Sequence, residues 1–324
     1  MEKTKIIIVI ALIAILAISA LYVVYSTQNP SQSTEGITIT DSQGYKTTFT
    51  SIPQKIVSLA PSVTPILYEI GVGDKVVGVT QYDDSPYDFS AWFEAGNMTC
   101  VGGFSTPNNE AIIGLNPDVI FTTDINDASL SNWRDLGLKV IVVGPTSIQG
   151  IYDTINLIGQ ATGVEDNANA FVDSLKSQIS EVTQTIAAAN IADKPKVYYE
   201  IWYDTTGIMS AGAGSWINDV IATAGGINIF ADNTQEYPDT NSEEILYKNP
   251  TVILLPTNMG TGTPFYGSVD DVKARPGWTA IDAIKNDRIH VIDQNIFGEP
   301  GASIADQVQT VAECLYPQLF KLPS

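Results

Sequence analysis

The sequence predicts an α/β protein of two lobes with mostly parallel sheets, joined by one long α-helix and preceded by an apolar N-terminal segment. Three observations carry this prediction. Short β-branched runs alternate with helical patterns, one long stretch lacks any helix breaker, and a helix–Asn–Pro–strand unit occurs twice.

The elements follow in chain order. Residues 6–24 carry no charge and follow Lys3 and Lys5. The run has the length of a bilayer-crossing helix and exceeds the roughly 7 to 15 apolar residues of a cleaved signal. The positive residues before it place the N-terminus inside the cell and the folded part outside. Ala17 and Ser19 keep cleavage, and therefore secretion, as the alternative; no cysteine lies near the end of the run, which excludes a lipid-modified anchor there. Residues 1–26 are thus expected to be a membrane anchor or signal segment, and the polar, breaker-rich 27–36 a flexible linker.

From Ile37 onward, β-branched runs at 56–59, 76–79, 119–121 and 140–143 read as buried parallel strands, giving a first α/β lobe over 37–163. Residues 165–190 contain neither Gly nor Pro, and Phe171, Leu175, Ile179, Val182 and Ile186 recur at helical spacing. They predict a bridging helix within 164–194. Strands at 196–201, 252–255 and 289–292, with helices around 215–224 and 242–248, make a second lobe over 195–324. The two halves echo each other: Asn109–Ile120 lays over Ser242–Ile253, each a capped helix, an Asn-Pro stop and a β-branched strand.

Composition narrows the function. Acidic residues outnumber basic ones 36 to 16, for a formal charge of -20 in 324 residues, so the surface repels nucleic acid. The single histidine, His290, removes multi-His metal centres and most His-based triads; within a predicted strand it reads as structural. Cys100 and Cys314 are far apart in sequence, and one disulfide or two thiols both fit. Asn97, Met98 and Thr99 form a glycosylation sequon. No nucleophile elbow, P-loop or dinucleotide fingerprint is present. The sequence points to no catalytic residue, metal ligand or cofactor.

In open parallel sheets ligands bind beyond the carboxyl ends of the strands. The segments at those ends offer Pro61, Ser62, Gln81, Tyr82, Gly103, Phe104, Thr123 and Asp124 in the first half. In the second half they offer Trp202, Tyr203, Met209, Trp216, Thr257, Asn258, Phe297 and Glu299. Aromatic faces with a few polar groups suit a bulky or planar organic ligand. The expected ligand-binding residues are Pro61, Ser62, Tyr82, Phe104, Trp202, Tyr203, Trp216 and Phe297, with Tyr82, Phe104 and Trp202 foremost because they directly follow predicted strand ends.

Five stretches in order resemble one family: Lys55–Val79 (KIVSLAPSVTPILYEIGVGDKVVGV), Val101–Thr123, Leu136–Gly163, Ile217–Phe230 (INDVIATAGGINIF) and Arg275–Asp293. They are similar to the ABC-importer solute-binding proteins for cobalamin, ferric siderophores and haem. The resemblance implies two Rossmann-like lobes, a metal-chelate or corrinoid ligand, permease and ATPase partners, a place on the outer face of the cell membrane, and no enzymatic activity. It also implies one permease-docking acid on each lobe. Pro65 stands at the usual first position, leaving Glu69 one turn later as the substitute, and Asp219 matches on the second lobe. At Gly301–Ser303 the sequence lacks a basic residue that many relatives carry, which disfavours an anionic catecholate. Two other readings stay open: a surface hydrolase using carboxylates such as Glu200, Asp204, Glu243 and Glu244, and a ligand-binding sensor without a transport role.

Overall fold

A computed structural model of the protein describes residues 36–83, 87–204, 207–257 and 268–320, apart from the side chains of Asn126 and Asp127. The expected anchor, the linker up to residue 35 and Asn258 lie outside the described residues. Among the described residues no helix is long and apolar enough to cross a membrane. Thr38–Thr47 with Ile52–Ser324 form one compact unit that holds both large sheets. The first two strands, β1 (Ile37–Thr40) and β2 (Lys46–Phe49), precede them in the chain.

The first sheet contains β3 (Ile56–Ser58), β4 (Val76–Val79), β5 (Thr99–Cys100), β6 (Val119–Thr122) and β7 (Val140–Val142) in the order β5-β4-β3-β6-β7. Every pairing in it is parallel. Strands β3, β6 and β7 are buried along their whole length, which explains why they read as unbroken apolar runs and not as an alternating pattern. A parallel sheet places all its strand exits along one edge.

The repeated unit has the same stereochemistry in both copies. Asn108 accepts a hydrogen bond from the N–H of Ala111 to start the helix Asn109–Leu115, and Asn116 ends it in the left-handed conformation at φ 47°. Asn241 accepts from the N–H of Glu244 to start Ser242–Lys248, and Asn249 ends that helix at φ 45°. Asparagine tolerates left-handed backbone better than other side chains, and the following proline cannot continue a helix. The chain then enters β6 in one copy and the strand Val252–Pro256 in the other.

The unbroken stretch forms the helix Glu165–Ala188. It packs on the helix Ile148–Thr162 where Gly159 lies against Ala168; a Cβ at Gly159 would collide with the Cβ of Ala168, so only glycine allows this approach.

The second sheet contains β8 (Lys196–Tyr203), β9 (Ile208–Ser210), β10 (Ile227–Asn228), β11 (Asp239–Thr240), β12 (Val252–Pro256) and β13 (Ile289–Ile292). Its order is β11-β9-β8-β12-β13, with β10 also on β8. The pairings of β8, β10, β12 and β13 are parallel, while β9 and β11 extend the edge antiparallel. This lobe encloses a polar knot. Arg275 grips the buried Glu200 with both terminal nitrogens, Nη2 to Oε1 at 2.9 Å, and lies over the Tyr203 ring at 3.3 Å. The Tyr198 hydroxyl donates to the same carboxylate at 3.2 Å. Cys100 and Cys314 are free thiols, the first exposed and the second half-buried; burial, with help from Glu313, pushes the Cys314 thiol up to about 11.

Candidate ligand-binding cleft

At the exit of β3 the chain turns through Pro61 and Ser62 into the helix Val63–Glu69, held by the hydrogen bond from Thr64 Oγ1 to Ser58 Oγ at 2.8 Å. At the exit of β4, the backbone N–H and hydroxyl of Thr80 both donate to Asp83 Oδ2, at 2.8 and 2.6 Å. That tight turn presents Tyr82, whose ring meets Phe104 edge to face at 5.6 Å between centroids. Both rings are exposed, 40% and 37%, a large share for apolar side chains set side by side.

The other wall comes from the second lobe. Trp216 stands edge to face with Tyr237, 6.3 Å between centroids. Its indole N–H donates to Gln307 Oε1 at 3.0 Å. Gln307 is fully buried, and its amide nitrogen donates to the carbonyls of Ile296 and Glu299, each at 2.8 Å. One side chain thereby fixes both Trp216 and the loop that carries Glu299.

Between these walls lies a cavity of about 530 Å³ lined by Pro61, Ser62, Tyr82, Phe104, Thr123, Asp124, Ile125, Trp216, Glu236, Tyr237 and Glu299 among others. A second cavity of about 630 Å³ runs along the long helix past Phe171, Leu175 and Gln178 to Glu69 and Asp306. The two share Pro61, Ser62, Tyr82, Phe104, Gly298 and Glu299. We take the first as the site because it collects the exits of β3, β4, β6 and β7. Beside it, Gly301 lies so close to Ser62 that an added Cβ would stand 2.7 Å from the Ser62 carbonyl oxygen. Glycine at this position thus lets two backbones meet across the cleft.

Five of the eight expected contact residues, Pro61, Ser62, Tyr82, Phe104 and Trp216, come together here. Phe297 is 2% exposed and lines a side pocket of about 150 Å³ together with Trp216 and Tyr237, not the main cavity. Trp202 and Tyr203 line none of these cavities. They belong to β8, which runs on to Tyr203 and folds back onto β9 through Trp202–Met209 and Tyr203–Ile208 pairs. Thr257 is buried and accepts from the N–H of Gln294 at 3.0 Å. Of the two acids expected to dock, Glu69 is exposed on the rim of the larger cavity and accepts from the Tyr87 hydroxyl at 3.5 Å. Asp219 is half-buried and accepts from the backbone N–H of Ile148 at 3.3 Å.

Sequence reasoning missed Glu236 and Tyr237. They sit on the return path between β10 and β11, not at a parallel strand exit. Burial first, and the Asp124 charge second, raise the Glu236 carboxyl above its ordinary value. Burial and Glu236 raise the Tyr237 phenol, which stays protonated at neutral pH. Among the described residues no group of three His, Cys, Asp or Glu side chains is placed to hold a metal ion. Of the carboxylates considered for hydrolysis, Glu200 is locked to Arg275, and Glu244 accepts from Thr240 Oγ1 at 2.9 Å.

Residues 56–296 match the model of the family described as periplasmic binding protein. The chain belongs to this family. An uncharacterized ABC transporter substrate-binding lipoprotein of Bacillus subtilis (strain 168) is 29% identical to this periplasmic binding protein over 295 residues, covering 88% of this chain and 87% of the relative. A vitamin B12-binding protein of Vibrio cholerae (serotype O1, strain M66-2) is 25% identical over 266 residues, covering 81% and 88%. The crystal structure of "a possible an iron-binding (periplasmic solute-binding) protein" from Staphylococcus epidermidis ATCC 12228 is 28% identical with a TM-score of 0.69, covering 82% of this chain and 100% of that one. The family and these relatives are binding proteins, and the α/β, two-lobed architecture with a long helix is theirs.

Proposed function

We propose that the protein is the extracytoplasmic substrate-binding component of an ABC importer, capturing a corrinoid or an iron chelate and delivering it to a permease and its ATPase. The observation that carries this reading is a cavity walled by two aromatic pairs, Tyr82–Phe104 beside the strand exits of the first lobe and Trp216–Tyr237 from the second lobe, in a periplasmic binding protein. A cavity of about 530 Å³ suits part of a large organic ligand, with the remainder reaching toward the second cavity. The relatives' own ligands, vitamin B12 and iron, support the same class.

The apolar run 6–24 holds the folded part on the outer face of the membrane in this reading. The Bacillus relative is a lipoprotein. Here the two cysteines fall at 100 and 314, so the apolar run serves as the anchor in place of an acylated cysteine. The lobes take 37–163 and 195–324, with 164–194 between them. Glu69 and Asp219 are the proposed permease contacts; because Glu69 also borders a cavity, its replacement is expected to affect ligand affinity as well as docking.

The test is a thermal-shift and tryptophan-fluorescence screen of the purified full chain against cyanocobalamin, ferric trihydroxamates and haemin, since a ligand well above its Kd raises the melting temperature. Tyr82→Ala and Phe104→Ala should each weaken binding by about 1 to 3 kcal/mol. Trp202→Ala should leave it unchanged. Lack of a shift with every probe would remove this reading.

A further inference from the structure

Charge is distributed along both lobes in one direction. Lys55, Lys75 and Lys139 immediately precede β3, β4 and β7, Lys196 begins β8, and Arg288 precedes β13. These bases therefore gather at the ends of the sheets opposite the cleft. Residues 56–74, 76–133, 140–175, 197–247, 249–272 and 291–320 contain no Lys, Arg or His. Every residue lining the 530 Å³ cavity falls within those segments. Lys176, the basic residue nearest the second cavity in sequence, lies over the Tyr152 ring at 5.3 Å. Arg275 is buried against Glu200. What does face the cavity is acidic: Asp124 from the exit of β6, Glu236 from the β10–β11 segment and Glu299 from the loop fixed by Gln307.

We infer that the cleft selects its ligand by charge, accepting a neutral or cationic chelate on the Tyr82–Phe104 pair while Asp124, Glu236 and Glu299 exclude one that carries ionised carboxylates or catecholates. This rests on the binding function proposed above and deepens it. A concave site lined by one sign of charge focuses its field into the cleft, and here no base in the lining offsets it. A cationic chelate gains from that field, a neutral one relies on the rings, and an anion meets repulsion from the acids of the lining.

The experiment compares ligands built on one scaffold that carry different charges. One ferric trihydroxamate is prepared with a free ammonium arm, an acetylated arm and a succinylated arm; cyanocobalamin is paired with its monocarboxylate. Affinities are measured by calorimetry on the full chain in neutral detergent at low and at high salt. Within whichever scaffold binds, the anionic member should bind about tenfold more weakly at low ionic strength, and the gap should shrink at about 0.5 M salt as screening sets in. The combined variant Asp124→Asn, Glu236→Gln, Glu299→Gln should close the gap. Should that variant fail to fold, the wild-type series still decides the matter. An anion bound as tightly as its neutral or cationic counterpart would overturn charge selection and leave the binding function standing. Failure of haemin and of every member of both scaffolds to bind would remove the proposed function and this inference with it; binding of haemin, a dicarboxylate, where both scaffolds fail would overturn charge selection and leave the binding function standing.

Discussion

The Asp219 carboxylate, on the helix Trp216–Thr223 of the second lobe, accepts a hydrogen bond from the backbone N–H of Ile148, the first residue of the helix that follows β7 in the first. An anionic oxygen at a helix N-terminus satisfies an orphan donor and complements the helix dipole. Ser147 caps the same helix by accepting from the N–H of Gly150 at 3.0 Å. The N-terminus is thus held from its own lobe and from the other.

Asp219→Ala should therefore lower stability by about 1 kcal/mol in urea unfolding, and Asp219→Asn, which keeps an acceptor, by less. Equal loss in both variants would mean that charge at this position, and not the hydrogen bond, ties the lobes.

Gln307→Leu preserves volume but leaves the Trp216 N–H and the Ile296 and Glu299 carbonyls without their partner. A loss of about 2 to 3 kcal/mol is expected, because buried polar groups left unsatisfied cost their desolvation. The tryptophan emission should shift to the red as the loop carrying Glu299 loosens. A variant as stable as wild type would show that water replaces the amide.

Removing one member of the Arg275–Glu200 pair strands a buried charge. Glu200→Met and Arg275→Met should each cost about 3 to 5 kcal/mol, while the variant that combines them should cost less than the sum of the two. A double-mutant cycle with no coupling would refute the pairing as the source of the cost.

His290 lies on β13, and among the described residues its Nε2 finds no hydrogen-bond partner. Burial, reinforced by Arg288 and opposed by Asp287, lowers its pKa below the ordinary 6.5. The neutral ring is then favoured in the folded state, so its contribution to stability is present above pH 6.5 and is lost as pH falls through the folded-state value. Chemical denaturation between pH 7.5 and 5.5 should show that decline, and His290→Leu should flatten it. An unchanged slope in the variant would assign the decline to carboxylates.

Much of this architecture was written locally. The Asn-Pro stops at Asn116 and Asn249, the breaker-free helix and the β-branched runs each depend on neighbours in sequence. Tyr82 was legible for the same reason, since the apolar run of β4 ends at turn residues, whereas Phe104 follows Gly102 and Gly103 after the unburied two-residue β5. Trp202 and Tyr203 were not. Their strand continues because β9 pairs with it, and an antiparallel return leaves no mark in the residues of β8 itself. Phe297 was misplaced because Asp293 caps a short helix, Gln294–Phe297, that turns the ring inward toward Tyr199. Glu236 and Tyr237 reach the cleft through tertiary packing alone: a Cβ added at Gly212 would stand 2.2 Å from the Gln235 carbonyl oxygen and one at Gly214 2.6 Å from that of Thr234, so only glycine admits the 233–236 segment.

The helix Glu165–Ala188 has no break at which to bend, so the empty and occupied forms should differ little in outline. A membrane partner that met either one would find nearly the same surface. Futile encounters with unloaded molecules would then be a built-in feature of the import cycle, limited by how many molecules are filled and not by a change of form on filling.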